Sequence, residues 1–216
     1  MKNITEQMEY WAGEFGEEYT DRNPQTPEEM DAAYMSNYGV SRTEMNSEFL
    51  GPLPRSIKIL EVGSNVGAQL LCLQKMGFEN LYGIEINQRA IEITKSRTRN
   101  INTIHGSGFD LPFKDGYFDL VFTSGVLIHI SPSDSGRIMD EIYRCTKKYI
   151  WGFEYFAEEY TEVAYRGKTN LLWKANFSKL YMERFKDLAL VKERRYNYLN
   201  SNNTNSMFLL AKTVRE

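Results

Sequence analysis

The sequence predicts an α/β fold: a mostly parallel, seven-stranded sheet with helices on both faces. Three observations carry this. Short apolar runs alternate with helix-forming runs through the middle of the chain, which calls for parallel strands joined by helical crossovers. The run 59–62 ends beside an acid and passes at once into a glycine-punctuated turn, Gly63-Ser64-Asn65-Val66-Gly67. The last two strand-like runs, 191–198 and 206–213, are joined by so short a connection that they must be antiparallel neighbours.

Residues 1–54 precede the sheet and read as a helical cover. Tyr10, Trp11, Phe15 and Tyr19 mix with acids there, Thr26 is placed to cap a helix starting at Pro27, and Gly51, Pro52 and Pro54 end helical structure. Strand 57–62 then leads to helix 66–76, with Gly77 as its C-terminal stop. Strand 80–86 leads to helix 88–97. A short strand near 101–105, a loop, strand 118–123, a helix around 133–146 and strand 148–154 complete the parallel part. The whole reads as one domain, 1–54 a cover and 55–216 a core.

Composition narrows the function. A net charge of -3 gives no general attraction to polyanions, so no nucleic-acid substrate is expected. Cys72 and Cys145 sit in apolar segments and read as buried thiols, neither a disulfide nor a metal pair. No metal site is expected from two histidines and no cysteine cluster. The first residues lack an apolar leader core, and no apolar run reaches membrane-spanning length, so a cytoplasmic protein, monomer or homodimer, is expected.

The turn at 63–67 indicates a ligand. Glycines let the backbone approach closely, and a helix N-terminus offers free N–H groups. Glu61 would repel a phosphate but suits a ligand with hydroxyls and positive charge. Glu85 ends the next strand, where an acid accepts hydrogen bonds from ribose hydroxyls. The G-x-G-x-x-G pattern of a dinucleotide site is missing, because Asn65 holds the middle place. S-adenosylmethionine (SAM), with an ammonium, a sulfonium and a ribose, fits better than NAD.

With these residues in view the chain resembles class I SAM-dependent methyltransferases over roughly residues 55–155. The motifs are Glu61-Val62-Gly63-Ser64-Asn65-Val66-Gly67, Gly83-Ile84-Glu85-Ile86, Leu111-Pro112-Phe113 and Phe118-Asp119-Leu120-Val121-Phe122. The resemblance implies a Rossmann-like fold and SAM as cofactor. Glu61, Gly63, Ser64, Asn65 and Gly67 would form the donor turn, Glu85 would hold the ribose, and Ile86 would pack on the adenine or belong to the core. The loop Ser107, Gly108 and Phe109 would bracket the adenine. Ser107 stands where many members have an acid, which weakens the expected contact to the adenine amine. Thr123 and Ser124, at the end of the fourth strand, should lie near the methionine part.

Candidates on the acceptor side are more scattered. His129 has an ordinary pKa near neutrality and suits a general base, though its apolar neighbours equally suit a structural histidine. Glu154 is either substrate-facing or an exposed helix-capping acid, and Tyr165 is a third candidate base. The segment 164–177 concentrates Arg166, Lys168 and Lys174 among Tyr165, Trp173 and Phe177. It reads as a loop holding an anion and stacking on a ring, or as a solvated amphipathic helix. Residues 11–23 read as a lid with Trp11 at the substrate and Tyr19 and Arg22 facing inward, or as a surface helix anchored by Trp11.

Phrases around 10–16, 125–130 and 165–174 also resemble small methyltransferases associated with pseudaminic acid biosynthesis. That resemblance implies a small anionic acceptor, a nonulosonic acid or a nucleotide-activated sugar. A natural-product or metabolite acceptor, and a non-catalytic SAM-binding regulatory subunit, stay open beside it.

Overall fold

The structure, a computed structural model, describes residues 4–213; the first three residues of the stretch read as lacking a leader lie outside that range. Four helices come first: α1 (Glu6–Ala12), α2 (Glu14–Arg22), α3 (Pro27–Tyr38) and α4 (Arg42–Leu50). Thr26 accepts from the Glu29 amide, Pro27 opens α3, and Gly39 ends it at φ 71°. Ser41 and Glu44 close a capping box on α4.

The core follows in alternation: β1 (Lys58–Val62), α5 (Ala68–Lys75), β2 (Asn80–Glu85), α6 (Gln88–Arg97), β3 (Ile101–His105), β4 (Phe118–Ser124), α7 (Pro132–Cys145) and β5 (Thr146–Tyr155). Two-residue strands β6 (Thr161–Glu162) and β7 (Trp173–Lys174) pair with each other. Then come α8 (Phe177–Arg184), β8 (Leu188–Asn197) and β9 (Thr204–Lys212).

The main sheet has seven strands in the order β3-β2-β1-β4-β5-β9-β8. Pairings from β3 to β5 are parallel, and β9 runs antiparallel to both β5 and β8. The predicted sheet and its final hairpin are therefore present. One apolar layer gathers Leu60, Val121, Ile138, Ile142 and Phe208. The other gathers Ile59, Leu70, Phe122, Trp151 and Met45 from α4. The alternation of β1 explains this: Ile59 and Leu60 point to opposite faces, and both are fully buried.

The segment 164–177 departs from both sequence readings of its conformation. It is neither one helix nor one loop. Arg166 and Gly167 have φ of 53° and 75°, and Tyr165 and Lys168 exchange backbone hydrogen bonds of 2.8 and 3.0 Å. This is a tight two-residue hairpin turn, which suits Arg-Gly because glycine takes positive φ without strain. The small strand pair and α8 were not legible, because their apolar residues are too few to set a period. Among the described residues no helix is long and apolar enough to cross a membrane.

Candidate active site

Sheet order reverses between β1 and β4, and α/β sheets bind ligands beyond the carboxyl ends of strands at such a point. A cavity of about 280 Å³ lies there. Its walls come from the 63–69 turn, the end of β2, loop 106–109, segment 124–130 and helices α1 to α3.

The donor-side turn is set by backbone bonds. Gly63 and Ser64 amides both donate to the Ile84 carbonyl, at 2.8 and 3.1 Å, and the Gly67 amide donates to the Ser64 carbonyl at 2.8 Å. Gly63, Asn65 and Gly67 have φ of 74°, 44° and 74°. A side chain on Gly63 would also bring its Cβ within 2.5 Å of Val126. Asn65 does stand in for glycine here, since a left-handed backbone is tolerable for asparagine.

Two acids face the cavity. Glu85 Oε2 accepts from the Asn65 amide and Oε1 from the Asn87 amide, each at 2.8 Å. Burial pushes its carboxyl above the ordinary range, against the pull of those amides. Glu61 is 3% exposed, and its Oε2 is buried with no hydrogen-bond partner. Burial pushes Glu61 well above the usual carboxylate range, with Arg42 opposing. A buried carboxylate oxygen without a donor is costly unless something supplies one. An ammonium and ribose hydroxyls would suit these two acids, so the residues present fit SAM.

Ile86, Ser107, Gly108 and Phe109 line one end of the cavity. The Ser107 hydroxyl accepts from the Phe109 amide at 3.2 Å, which holds the loop shut on itself. Ser124 also lines the cavity.

At the other end aromatic rings gather. Trp11 lies 4.5 Å from the His129 ring and 5.0 Å from the Tyr19 ring, centroid to centroid. His129 Nδ1 is 2.7 Å from the Leu171 carbonyl. A carbonyl can only accept, so Nδ1 carries the proton and Nε2 keeps the lone pair. Burial lowers the His129 pKa to about 4, leaving it neutral at neutral pH. Burial also pushes the Tyr19 hydroxyl up to about 12.

Several predicted residues stand elsewhere. Gly67 is the N-cap of α5 and shapes the turn without lining the cavity. Thr123 is buried behind it, bonded to Glu154. Glu154 is fully buried and accepts from the Val126 and Ile128 amides at 3.2 and 3.4 Å. It is thus neither substrate-facing nor exposed: it holds the 125–129 turn from below. Burial raises its pKa to about 7.

Tyr165 lies behind His129, ring to ring at 5.4 Å, and is not in the wall. Arg166 and Lys168 are exposed. Lys168 Nζ sits 4.4 Å from the Tyr10 ring. Trp173 is buried in β7, and Lys174 donates to Asn203 at 2.5 Å. Arg22 is exposed, beside Glu18 at 3.6 Å, although it follows Tyr19 by three residues on the same helix. Among the described residues no lysine or arginine lines the cavity.

Sequence reasoning missed Asn87, Gly16, Gln69 and Tyr34. Asn87 caps α6 through the Ala90 amide at 3.1 Å and donates to the Trp11 carbonyl at 3.2 Å. Its place directly before a helix was the readable signal. A Cβ on Gly16 would meet the Trp11 carbonyl oxygen at 2.0 Å, a close approach that only the fold reveals.

Residues 60–149 match a family model described as a methyltransferase domain. Phosphoethanolamine N-methyltransferase of Plasmodium falciparum is 21% identical over 117 residues, 53% of this chain and 44% of that protein. The chain thus spans less than half the length of that relative. Magnesium protoporphyrin IX methyltransferase from Synechocystis, solved with bound SAM, superposes with a TM-score of 0.68 at 11% identity, over 99% of this chain and 100% of that one. The Burkholderia thailandensis 1,6-didemethyltoxoflavin-N1-methyltransferase, solved with S-adenosylhomocysteine, gives 0.64 at 13% identity over 80% and 76%. The matched segment holds both cavity acids and the turn between them, and the two solved methyltransferases share the fold of this chain.

Proposed function

We propose that the protein transfers a methyl group from SAM to an oxygen or nitrogen of a small molecule in the cytoplasm. The observation that carries this reading is the pairing, in one cavity, of two buried acids on adjacent strands, β1 and β2, with an aromatic chamber around His129. Free buried Cys72 and Cys145 suit a reducing compartment. When bound, SAM supplies an electrophilic methyl on its sulfonium.

The chain's residues divide the remaining work. Glu85 accepts from the ribose hydroxyls, and its amide bonds fix the carboxylate beforehand. Glu61 meets the ammonium. Ile86, Ser107, Gly108 and Phe109 enclose the adenine, and Ser124 borders the methionine part. Trp11 and Tyr19 exclude water and hold the acceptor in line, which supplies much of such a reaction's barrier lowering. His129 Nε2 accepts the proton that an acceptor hydroxyl or ammonium sheds.

For the acceptor we favour an anionic sugar, a nonulosonic acid or nucleotide-activated sugar, with its reacting end among the rings and its anionic end outside. What supports this is the Arg166–Lys168 turn, which adjoins the ring in contact with His129. An uncharged metabolite acceptor is the second reading, favoured by a wall that has no lysine or arginine among the described residues. Labelled SAM offered with both acceptor classes separates them: methylation of the anionic sugars alone supports the first, and of neutral acceptors alone the second. A protein that binds no SAM by calorimetry sinks the proposal outright.

A further inference from the structure

A buried polar cluster lies behind the donor end of the cavity. Arg42, from α4, is 0% exposed. Its guanidinium stacks over Phe153 at 4.7 Å, Tyr34 at 5.0 Å and Trp151 at 5.3 Å. Arg42 Nη1 donates to the Tyr34 hydroxyl at 2.8 Å. Asn46 Oδ1 accepts from both Arg42 Nε and Gln69 Nε2, each at 3.0 Å. Gln69 and Tyr34 line the same cavity as Glu61.

The unused atoms of this cluster match one another. Arg42 Nη2 and Asn46 Nδ2 are buried donors without partners, and Gln69 Oε1 and Glu61 Oε2 are buried acceptors without partners. Two donors and two acceptors are what bridging water satisfies, and buried waters usually make about three such bonds. Leaving four such groups bare would cost about 1–3 kcal/mol each. A buried arginine also needs a counter-charge, and the Arg42 charge opposes the effect of burial on the Glu61 carboxyl.

We propose that Arg42, Asn46 and Gln69, with bridging water, form a positioning relay that holds the Glu61 carboxylate as the counter-charge for the ammonium of the methyl donor. This rests on the SAM reading above. It assigns the helical cover a part in donor binding: α4 fixes the acid from behind while the sheet presents it from below. Arg42 touches no ligand and acts through Glu61.

The test compares SAM with 5′-methylthioadenosine, which keeps the adenosine and sulfur but lacks the amino acid. In calorimetry Arg42→Met is expected to weaken SAM at least tenfold and to leave 5′-methylthioadenosine within twofold. Arg42→Lys should restore part of the loss. Gln69→Met keeps the charge and cuts the relay at the cavity wall, so it should show the same split at smaller size and covers the case of an unfolded Arg42→Met. Equal weakening of both ligands, or SAM affinity within twofold of wild type in the folded variants, overturns the relay. A wild-type protein that binds neither ligand overturns the SAM reading itself, and the relay with it.

Discussion

The two ends of the cavity are built by different means. The donor end is made of strand ends and backbone: Gly63, Ser64 and Asn65 with Glu61 and Glu85, all within 25 residues of sequence. The acceptor end is made of rings brought from far apart, Trp11 and Tyr19 from the cover, His129 from the turn after β4, and Tyr165 behind it. The first is held by hydrogen bonds of 2.8–3.1 Å, the second by ring packing. On the proposed function, the donor end would read one molecule through fixed geometry, whereas the acceptor end could change its substrate by exchanging side chains.

The sharpest way to break this contrast is at His129. His129→Gln is expected to cut kcat by roughly 100-fold or more, the usual contribution of a general base, while SAM affinity stays put. Near-normal turnover would return His129 to a packing role. At the donor end, Glu85→Ala should weaken SAM by on the order of 10- to 100-fold, the worth of about 1.5–3 kcal/mol for hydrogen bonds to a charged group. Calorimetry on the folded variant decides it, and unchanged affinity would remove Glu85 from the ribose.

Stability against pH separates two buried titrating groups. His129 falls from 6.5 to about 4 on folding, so the unfolded chain takes its proton first as pH drops. Its contribution is complete above 6.5 and is lost toward 4. Glu154 rises from 4.5 to about 7, so its contribution is complete below 4.5 and is lost as pH climbs through 7. Denaturant melts from pH 4 to 8 should therefore show the advantage of wild type over Glu154→Gln shrinking upward. The advantage over His129→Gln should shrink downward. The limiting slope is about 1.4 kcal/mol per pH unit; a flat difference in either pair refutes that residue's assignment. The smallest effect belongs to the exposed turn. Arg166→Ala with Lys168→Ala should raise the KM of an anionic acceptor a few-fold, in keeping with about 0.2–1 kcal/mol for exposed charge pairs, and leave SAM affinity alone. No change for an anionic acceptor would detach that turn from the substrate.

The same contrast governs what could be read in advance. Glu61, the 63–67 turn and Glu85 were legible because strand, turn and helix are contiguous in sequence, so chemistry and spacing coincide. Tyr19 and Arg22 were both expected to face inward, but only three dimensions show that Tyr19 lines the cavity while Arg22, on the same helix, is exposed. The cations of 166–174 misled in placement: their density suggested a binding wall, yet Lys174 is engaged by Asn203 and Arg166 and Lys168 face solvent. Glu154 misled for the opposite reason. A lone acid after a strand reads as exposed, and nothing local announces that the Val126 and Ile128 amides close over it.

Asn87 gives one amide group two allegiances. Its oxygen belongs to α6 and its nitrogen to the cover, through the Trp11 carbonyl. Loss of the nitrogen's bond to Trp11 would leave the oxygen's bond to the Ala90 amide in place. The cap on α6 is therefore independent of the contact that ties this residue to the cover.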